Sequence, residues 1–239
     1  MKARLPPIVL PRALDPDPAA RRADFHSHSY LTDGESSPTD MWLEAQELEH
    51  RALALTDHLG PEDPKPLLDR LQQEAKALES SRFIPIVGVE ITKVPPRRIA
   101  DVARAARRAG AEIVIVHGET LVEHVPAGTN HAAIDCALVD VLAHPGLLDP
   151  KDAELARAQS VVLEISGRDG HSLTNGHVAR LALEVGAELV VDSDAHDPEH
   201  LIPLERARRI ARGAGIPEKM LPRVLFGAPT DLIKRVHGG

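Results

Sequence analysis

Histidines and carboxylates stand at or just past the ends of apolar stretches along this chain, where they could bind metal ions. Imidazole nitrogen is a good ligand for zinc, iron and other first-row metals, and carboxylate oxygen also suits manganese. The residues in this position are His26, His28, Asp33, His58, Glu90, His117, His144, Asp194 and His196. So many nitrogen and oxygen donors favour a multinuclear metal site, and such a site favours a hydrolase.

The spacing of two donor pairs strengthens this interpretation. His26 and His28 follow the run ADF with one residue between them, and residues i and i+2 of an extended segment point the same way. Taken alone, such a pair is more often incidental than a metal site. Asp194 and His196 repeat the spacing after a second apolar run, and the two pairs together favour metal binding.

Other candidates have a structural alternative. Glu90 ends a long apolar run, so it either forms a salt bridge with an arginine or bridges two metal ions. His117 and His144 could each be buried core histidines, although at matching strand ends we expect both to be ligands. Asp57 is expected either to bind a metal or to orient an imidazole. Glu164 is expected either to orient an imidazole or to form a salt bridge with a helix.

The elements that would position these residues alternate along the chain. Seven apolar runs predict strands at 23–29, 52–58, 83–92, 112–117, 139–144, 160–166 and 188–194. Stretches of helical period follow them at 38–51, 64–80, 96–109, 131–138, 150–158, 175–185 and 202–213. The middle strands are continuously apolar, as parallel strands buried on both faces are. This alternation predicts an α/β barrel, in which the C-terminal strand ends converge on one face.

Two irregular segments complete the expected organisation. The first 22 residues are rich in proline and predict an extended or irregular N-terminal arm, residues 1–22, ahead of a single barrel domain, residues 23–239. The segment 119–130 is the longest irregular stretch between strands, and we expect it to cover the site. Residues after Pro217 are expected to form a final helix or cap.

Composition limits the classes of function. A length of 239 residues suits one large domain, and the net charge of −8 disfavours non-specific nucleic-acid binding, which needs a basic surface. With Cys136 as the single cysteine, no internal disulfide can form, and with no signal peptide this predicts a cytoplasmic protein. No apolar run approaches the ~18 residues of a membrane span, so we expect no membrane association.

At this point the residues resemble a known family. The stretches DFHSHSYLTDG, LALTDH, VGVE, VIVH, LAHPG and SDAH are similar, in this order, to the motifs of the PHP family, named for polymerase and histidinol phosphatase. The resemblance runs from Asp24 to His196. It implies a distorted seven-stranded (β/α)7 TIM-like barrel, in agreement with the strand count.

The resemblance also implies how the donors would be shared among two or three divalent ions, Zn, Mn or Fe. The first ion would be held by His26, His28, Glu90 and Asp194. The second would be held by Glu90, His117 and His144, with Glu90 as the bridge. The third would be held by Asp33, His58 and His196. The chain departs from the family pattern at Asp33, where many relatives carry a histidine.

A multinuclear centre of this kind implies a phosphoesterase that uses a metal-activated water at a trinuclear site. Three divalent ions against three carboxylates leave a positive pocket that favours a small phosphorylated substrate. Asp194 or His196 would assist deprotonation of the water. Arg168 would either bind phosphate with its planar guanidinium or be a surface arginine. His171 would either act as the acid for the leaving group or be a surface residue.

The leading hypothesis is therefore a phosphatase of small phosphomonoesters such as histidinol phosphate. The alternative enzyme is a nucleotide or DNA phosphodiesterase or exonuclease, for which nucleic acid would be only a substrate. An alternative of another class is a noncatalytic RNA-binding subunit, like the barrel protein of ribonuclease P. The intact donor set and the acidic balance of the chain argue against this last class. The sequence does not indicate an oligomeric state.

Overall fold

The computed structural model describes residues 21–78, 80 and 82–237. The predicted N-terminal arm therefore lies outside the described residues, except for Arg21 and Arg22. The division of the chain into an arm and a barrel domain stays a prediction. No helix in the described part of the chain has the length and apolarity that crossing a membrane requires.

Parallel strands form a single twisted sheet in the described part of the chain. Its eight strands are β1 (Ala23–Asp24), β2 (Ala52–Leu55), β3 (His58–Leu59), β4 (Ile84–Ile91), β5 (Ile113–His117), β6 (Val141–Ala143), β7 (Val162–Ser166) and β8 (Leu189–Asp192). Their order is β1-β2-β4-β5-β6-β7-β8, with the short β3 paired to the end of β4. Every pairing is parallel, since helical crossovers connect the strands.

The sheet is nearly closed into a barrel where the first and last strands meet. A bridge pairs Ser27 with Ala195, and the His28 amide donates to the Ala195 carbonyl at 2.8 Å. Below this bridge, the buried Arg22 donates to the Asp24 carboxylate at 2.6 Å and to the Val191 carbonyl at 2.7 Å. These contacts fix the two chain segments that carry the paired donors side by side.

Helices cover the outside of the barrel. Within the described residues they are α1 (Pro38–Glu47), α2 (Lys65–Ala75), α3 (Ile99–Arg108), α4 (Thr129–Ile134), α5 (Pro150–Gln159), α6 (Asn175–Val185), α7 (Leu204–Gly213) and α8 (Ala228–His237). Local sequence explains several ends. The Ser37 and Asp149 side chains accept from backbone amides at the starts of α1 and α5, each of which opens on proline. Gly186 ends α6 in the left-handed conformation.

Alternate residues of each strand face two different cores. Outward positions such as Leu53, Val114 and Leu163 pack against the helices. Inward positions fill the barrel with Ala52, Ala54, Ile86, Ile113, Ile115, Val141, Ala143, Val162 and Val190. Three residues of α8, Ala228, Leu232 and Ile233, belong to this inner core and close the N-terminal end of the barrel. The opposite, C-terminal end is left for polar side chains.

The predicted fold class is confirmed, and all seven strand–helix units are present. The differences lie at the boundaries. The regular part of the first strand is only two residues long, and the predicted second strand divides into β2 and β3, because the chain leaves the ladder at Thr56 and Asp57. The final helix expected after Pro217 is α8.

The closure of the barrel by α8 predicts a measurable loss of stability. Leu232→Ala should lower the free energy of unfolding by about 2–5 kcal/mol, because the buried cavity cannot fully collapse. Leu43→Ala on the exposed face of α1 is the control and should change it by less than about 0.5 kcal/mol. Urea unfolding of the metal-free variants measures both. Equal effects of the two substitutions would contradict this role of α8.

Candidate metal centre

Strand alternation carries two donors directly into the mouth of the barrel. Ile86 faces the inner core, so Glu90, four residues later on β4, points inward as well. On β5 the inward residues Ile113 and Ile115 are followed by His117. Both donors are buried. Apolar side chains thus fill the lower layers of the barrel, and ionisable side chains form the layer at its C-terminal end.

Two further donors occupy strained backbone positions just past strand ends. His144 follows β6 with φ 26°, and Asp194 follows β8 with φ 52°. Residues with a β-carbon seldom adopt positive φ, and such strain is concentrated at functional sites. The local backbone turns both side chains toward the barrel axis, where the Nε2 of His144 lies 3.7 Å from Asp194 Oδ2.

Glu90 lies at the centre of the cluster. Its Oε1 is 3.4 Å from His26 Nε2 and 3.5 Å from His144 Nε2, and its Oε2 is 2.7 Å from His58 Nδ1. No arginine contacts it among the described residues. The salt-bridge alternative for Glu90 therefore has no partner in this part of the chain, and a carboxylate between several imidazoles can bridge two ions.

One group of donors surrounds the paired histidines. His26 Nε2 and His28 Nε2 are 3.1 Å apart, and they lie 3.6 and 3.4 Å from Asp194 Oδ1. These three side chains converge closely enough to bind one ion. With Glu90 beside them, they are the set that the resemblance implied for the first metal.

A second group lies nearer to solvent. Asp33 Oδ2 is 3.1 Å from His58 Nε2 and 3.3 Å from His196 Nε2, and His28 completes the group. The Asp33 side chain is 50% exposed, so this position is the most open of the cluster. The aspartate thus lies where the resemblance places a ligand, although many relatives have a histidine there.

The third group differs from the implied arrangement. His117 and His144 converge with His171, whereas Glu90 groups with His26 and His144. The rings of His144 and His171 are stacked with centroids 4.1 Å apart. Glu123, from the loop after β5, also reaches this group. The structure therefore brings all nine predicted ligands, together with His171 and Arg168, to one end of the barrel; their roles stay predictions.

Hydrogen bonds from neighbouring residues orient the imidazoles. Glu164 Oε2 lies 2.6 Å from His26 Nδ1, Thr92 Oγ1 lies 2.8 Å from His58 Nδ1, and Thr120 Oγ1 lies 2.7 Å from His171 Nδ1. An imidazole that donates from one nitrogen to such an acceptor presents the lone pair of the other nitrogen. This is the usual arrangement of a metal-ligating histidine.

Carboxylates keep several of these imidazoles charged. Burial opposes the charge on His26, but Asp194, Glu164 and Glu90 outweigh it and raise the pKa of His26 well above its ordinary value. Burial also acts to lower the pKa of His58, but Glu90 and Asp33 outweigh it and raise this pKa to about 9. The imidazoles in turn hold the pKa of Glu90 well below its usual range, although burial acts to raise it.

Other imidazoles in the cluster are neutral. Burial lowers the pKa of His28 to about 4, and burial together with the neighbouring His144 lowers the pKa of His171 to about 3. A neutral imidazole is the form that binds a metal ion. In the absence of metal, protons on some imidazoles thus balance the buried carboxylates, and divalent ions would take over this balance.

The donor set fits divalent metal ions. Buried Oε1 of Glu90 makes no hydrogen bond within the described part of the chain. Burying such an oxygen without a hydrogen bond costs free energy, and an ion held between Glu90 and the adjacent imidazoles would satisfy it. The mixture of imidazole and carboxylate suits Zn, Fe or Mn.

The guanidinium of Arg168 reaches the edge of the cluster. Its Nη1 lies 3.2 Å from Asp194 Oδ1 and 2.8 Å from His196 Nε2. It also borders an open cleft of about 260 Å³ beside Asp194, which Arg206 and His200 also line. Arg168 is thus within reach of any anion that binds between the cluster and this cleft.

Asp57 does not have either expected role. Its carboxylate accepts hydrogen bonds from the Ser29 amide at 2.9 Å and from Thr32 Oγ1 at 2.8 Å, and it bonds to no imidazole among the described residues. Burial raises the pKa of Asp57 to about 6, although these hydrogen bonds oppose the shift. Asp57 instead holds the turn that presents Asp33.

Sequence reasoning did not single out Glu123, Thr120 or Thr92. The loop that carries Glu123 and Thr120 was expected to cover the site, but nothing in its residue types distinguishes Glu123 from the neighbouring Glu119. The position of Thr92, two residues after Glu90 in the same extended segment, was the one available signal, because residues i and i+2 point the same way.

Comparisons with known proteins agree with this geometry. The model of the PHP domain family matches residues 24–209. A protein of Methanocaldococcus jannaschii described as uncharacterized is 42% identical over 217 residues, which cover 90% of this chain and 100% of that protein. The DNA polymerase/3'-5' exonuclease PolX of Bacillus subtilis is 27% identical over 211 residues. The aligned residues cover 80% of this chain but only 37% of that enzyme, so this chain spans little more than a third of the length of the enzyme.

Solved structures show similarity in fold. Histidinol phosphate phosphatase from Lactococcus lactis, solved with zinc, L-histidinol and phosphate, has a TM-score of 0.58 at 14% identity and covers 82% of this chain and 95% of its own. Ochratoxinase of A. niger has a TM-score of 0.57 at 8% identity, covering 87% of this chain and 70% of its own. At such identities the similarity concerns the barrel and not the substrate.

The charge balance predicts how the stability of the metal-free protein depends on pH. His26, His58 and His144 have raised pKa values in the folded state, so they contribute stability below the unfolded pKa near 6.5. This contribution is lost as pH rises through the folded values, about 9 for His58. We therefore expect the free energy of unfolding to fall between pH 6.5 and about 9.

Urea unfolding in the presence of a chelator measures this dependence. His58→Gln, which removes one titrating group, is expected to reduce the slope between pH 6.5 and 9. A free energy of unfolding that stays level or rises across this interval would contradict the charge assignment.

Proposed function

Because this chain belongs to the PHP domain family, we propose that it is a metal-dependent phosphoesterase that hydrolyses a small phosphomonoester at a trinuclear site. The observation that carries this proposal is the buried cluster of imidazoles around Glu90, whose Oε1 makes no hydrogen bond among the described residues. A barrel mouth with that many metal donors is otherwise difficult to explain, because burying ionisable groups costs free energy.

The proposed ions are held by the groups described above. His26, His28 and Asp194 would hold one ion, His117 and His144 a second, and Asp33, His58 and His196 a third, with Glu90 between the first two. Such ions supply Lewis acidity that polarises a phosphoryl group and lowers the pKa of water. With three carboxylates in the ligand set, three divalent ions leave the pocket positively charged, which favours an anionic substrate.

The chain's own residues would bind and orient that substrate. Arg168 borders both the donor cluster and the open cleft, so its guanidinium can donate two parallel hydrogen bonds to a phosphate. We expect Asp194 or His196 to assist deprotonation of the attacking water and His171 to assist the leaving group, as the sequence predicted.

The dimensions of the site support a small substrate. The cleft beside Asp194 has a volume of about 260 Å³, just below the range of about 300–1,000 Å³ that is usual for small-molecule sites. Its lining contains both arginines and carboxylates, among them Arg168, Arg206, Asp169 and Glu199. Such a lining suits a phosphomonoester that also carries a positive group, and histidinol phosphate has this chemistry.

A second candidate is a phosphodiesterase or exonuclease. The similarity to the Bacillus subtilis polymerase and exonuclease supports it, but the matched region is 37% of that enzyme. The net charge of −8 and the small cleft weigh against long nucleic-acid substrates. Noncatalytic binding of RNA has still less support, because the donor set is complete.

Metal add-back tests the proposal. Metal-stripped protein should hydrolyse an aryl phosphomonoester once zinc, manganese or iron is restored, and Glu90→Gln should reduce kcat/KM by at least about 100-fold because it disrupts two ion positions. Glu154→Gln, the same change at an exposed position of α5, is the matched control and should behave as wild type. Hydrolysis of bis-aryl phosphate faster than the monoester would favour the diesterase instead. No hydrolysis of either ester by metal-loaded protein would contradict both.

The role of Arg168 is tested by a charge-preserving substitution. Arg168→Lys should raise KM for the monoester by about 10-fold with a smaller change in kcat, because lysine cannot donate two parallel hydrogen bonds to phosphate. Arg209→Lys on the exposed face of α7 is the control and should leave KM unchanged. Steady-state kinetics at saturating metal give both constants. An unchanged KM in Arg168→Lys would exclude this arginine from phosphate binding.

A further inference from the structure

The loop after β5 brings a carboxylate onto the third donor group. Glu123 Oε2 lies 3.3 Å from His117 Nε2, and Glu123 Oε1 lies 3.5 Å from His171 Nε2. Its two oxygens thus approach two imidazoles that themselves converge with His144. Three imidazole nitrogens and one carboxylate oxygen make up the number and kind of donors that a four-coordinate metal site uses.

His171 has the surroundings of a metal ligand. Its Nδ1 is 2.7 Å from Thr120 Oγ1, which can accept the N–H and leave the Nε2 lone pair pointing into the group. His117 is oriented in the same way, with its Nδ1 3.1 Å from the Gly118 carbonyl. Both rings are buried. In each ring Nδ1 makes the hydrogen bond just described, and Nε2 faces Glu123.

The loop that carries Glu123 is anchored at both ends and open in the middle. Glu119 Oε1 accepts from the amides of Gly128 and Asn130 at 3.0 Å, and Asn130 Oδ1 accepts from the Glu119 amide at 2.9 Å. The Glu123 side chain is nevertheless 41% exposed, and Val122 beside it is half exposed. The hydrogen bonds that anchor the loop thus do not involve Glu123.

We propose that His117, His144, His171 and Glu123 form one metal position in which Glu123 is a displaceable ligand. Together with the bridging Glu90, these four donors would fill a five-coordinate ion and leave no position for substrate. Displacement of Glu123 would exchange one carboxylate–metal bond for one phosphate–metal bond. The loop then acts as a built-in competitor of phosphate. This inference rests on the proposed metal-dependent function and assigns it two ligands, His171 and Glu123, that the family pattern did not supply. As a ligand, His171 would no longer serve as the acid for the leaving group, so this assignment replaces the role given to it above.

Zinc affinity tests the ligand role of Glu123. Metal-free full-length protein is loaded with zinc, and the bound ions are counted by mass spectrometry and competed with a chromophoric chelator. In Glu123→Gln one of the bound ions should bind at least about 10-fold less tightly than in wild type. His171→Ala should hold one ion fewer at the same total zinc. Matched thermal unfolding of the metal-free proteins verifies that each variant is folded, and Glu154→Gln is the control.

Phosphate affinity tests the displacement. Inorganic phosphate is titrated calorimetrically into zinc-saturated protein. If Glu123 coordinates the ion in about nine of ten wild-type molecules, only about one in ten is free to bind phosphate. Glu123→Gln should then bind phosphate about 10-fold more tightly than wild type. Weaker zinc binding with unchanged phosphate affinity would make Glu123 a fixed ligand and overturn the displacement.

The remaining outcomes separate this inference from the proposed function. Unchanged zinc affinity in Glu123→Gln, in a wild type that binds two or three ions, would overturn the inference alone and leave Glu123 as a polar neighbour of the two imidazoles. A wild type that binds no zinc, manganese or iron would overturn the proposed function and this inference together.

Discussion

Burial of ionisable side chains at the open end of the barrel is the constraint on which the rest of the structure depends. Glu90 and Asp194 are both buried among imidazoles, and neither carboxylate could remain charged there without cations beside it. In the metal-free chain, protons on His26, His58 and His144 supply that charge, since neighbouring carboxylates raise the pKa of each against the effect of burial. Divalent ions would supply the same charge more compactly. Metal binding should therefore release the protons that compensate the buried carboxylates in the metal-free protein.

Packing in the rest of the barrel stabilises the protein against the cost of burying these ionisable side chains, and it positions them. Inward residues such as Ile86, Ile113 and Val190 fill the barrel, and α8 closes its N-terminal end, so the layer of ionisable side chains lies on a buried apolar core. The same parallel register places Glu90 beside His58 and Ile115 on its two neighbouring strands. The positive φ angles at His144 and Asp194 are tolerated because the surrounding sheet holds both segments in place.

Much of this architecture could be read from the sequence, because its signals are local. Continuous apolar runs predicted parallel strands, and the position of a donor after each run predicted the end of the barrel at which it lies. Two side chains escaped this reasoning because their positions depend on tertiary contacts: the role predicted for Asp57 was wrong, and Glu123 was not predicted at all. Asp57 follows a strand like the ligands do, yet its carboxylate turns to Ser29 and Thr32. Glu123 lies in a loop whose path is set by hydrogen bonds between Glu119 and Asn130. An irregular loop has no repeating sequence pattern from which the position of Glu123 could be predicted.

Titration of zinc into the metal-free protein at pH 7, carried out calorimetrically in two buffers of different ionisation enthalpy, tests the central claim most directly. The account predicts two or three bound ions and a net release of protons, because His26 and His58 must lose theirs before they can bind metal. Binding without proton release would show that the buried carboxylates are not balanced by imidazolium. No binding of zinc, or of manganese or iron in the same experiment, would contradict the metal centre itself.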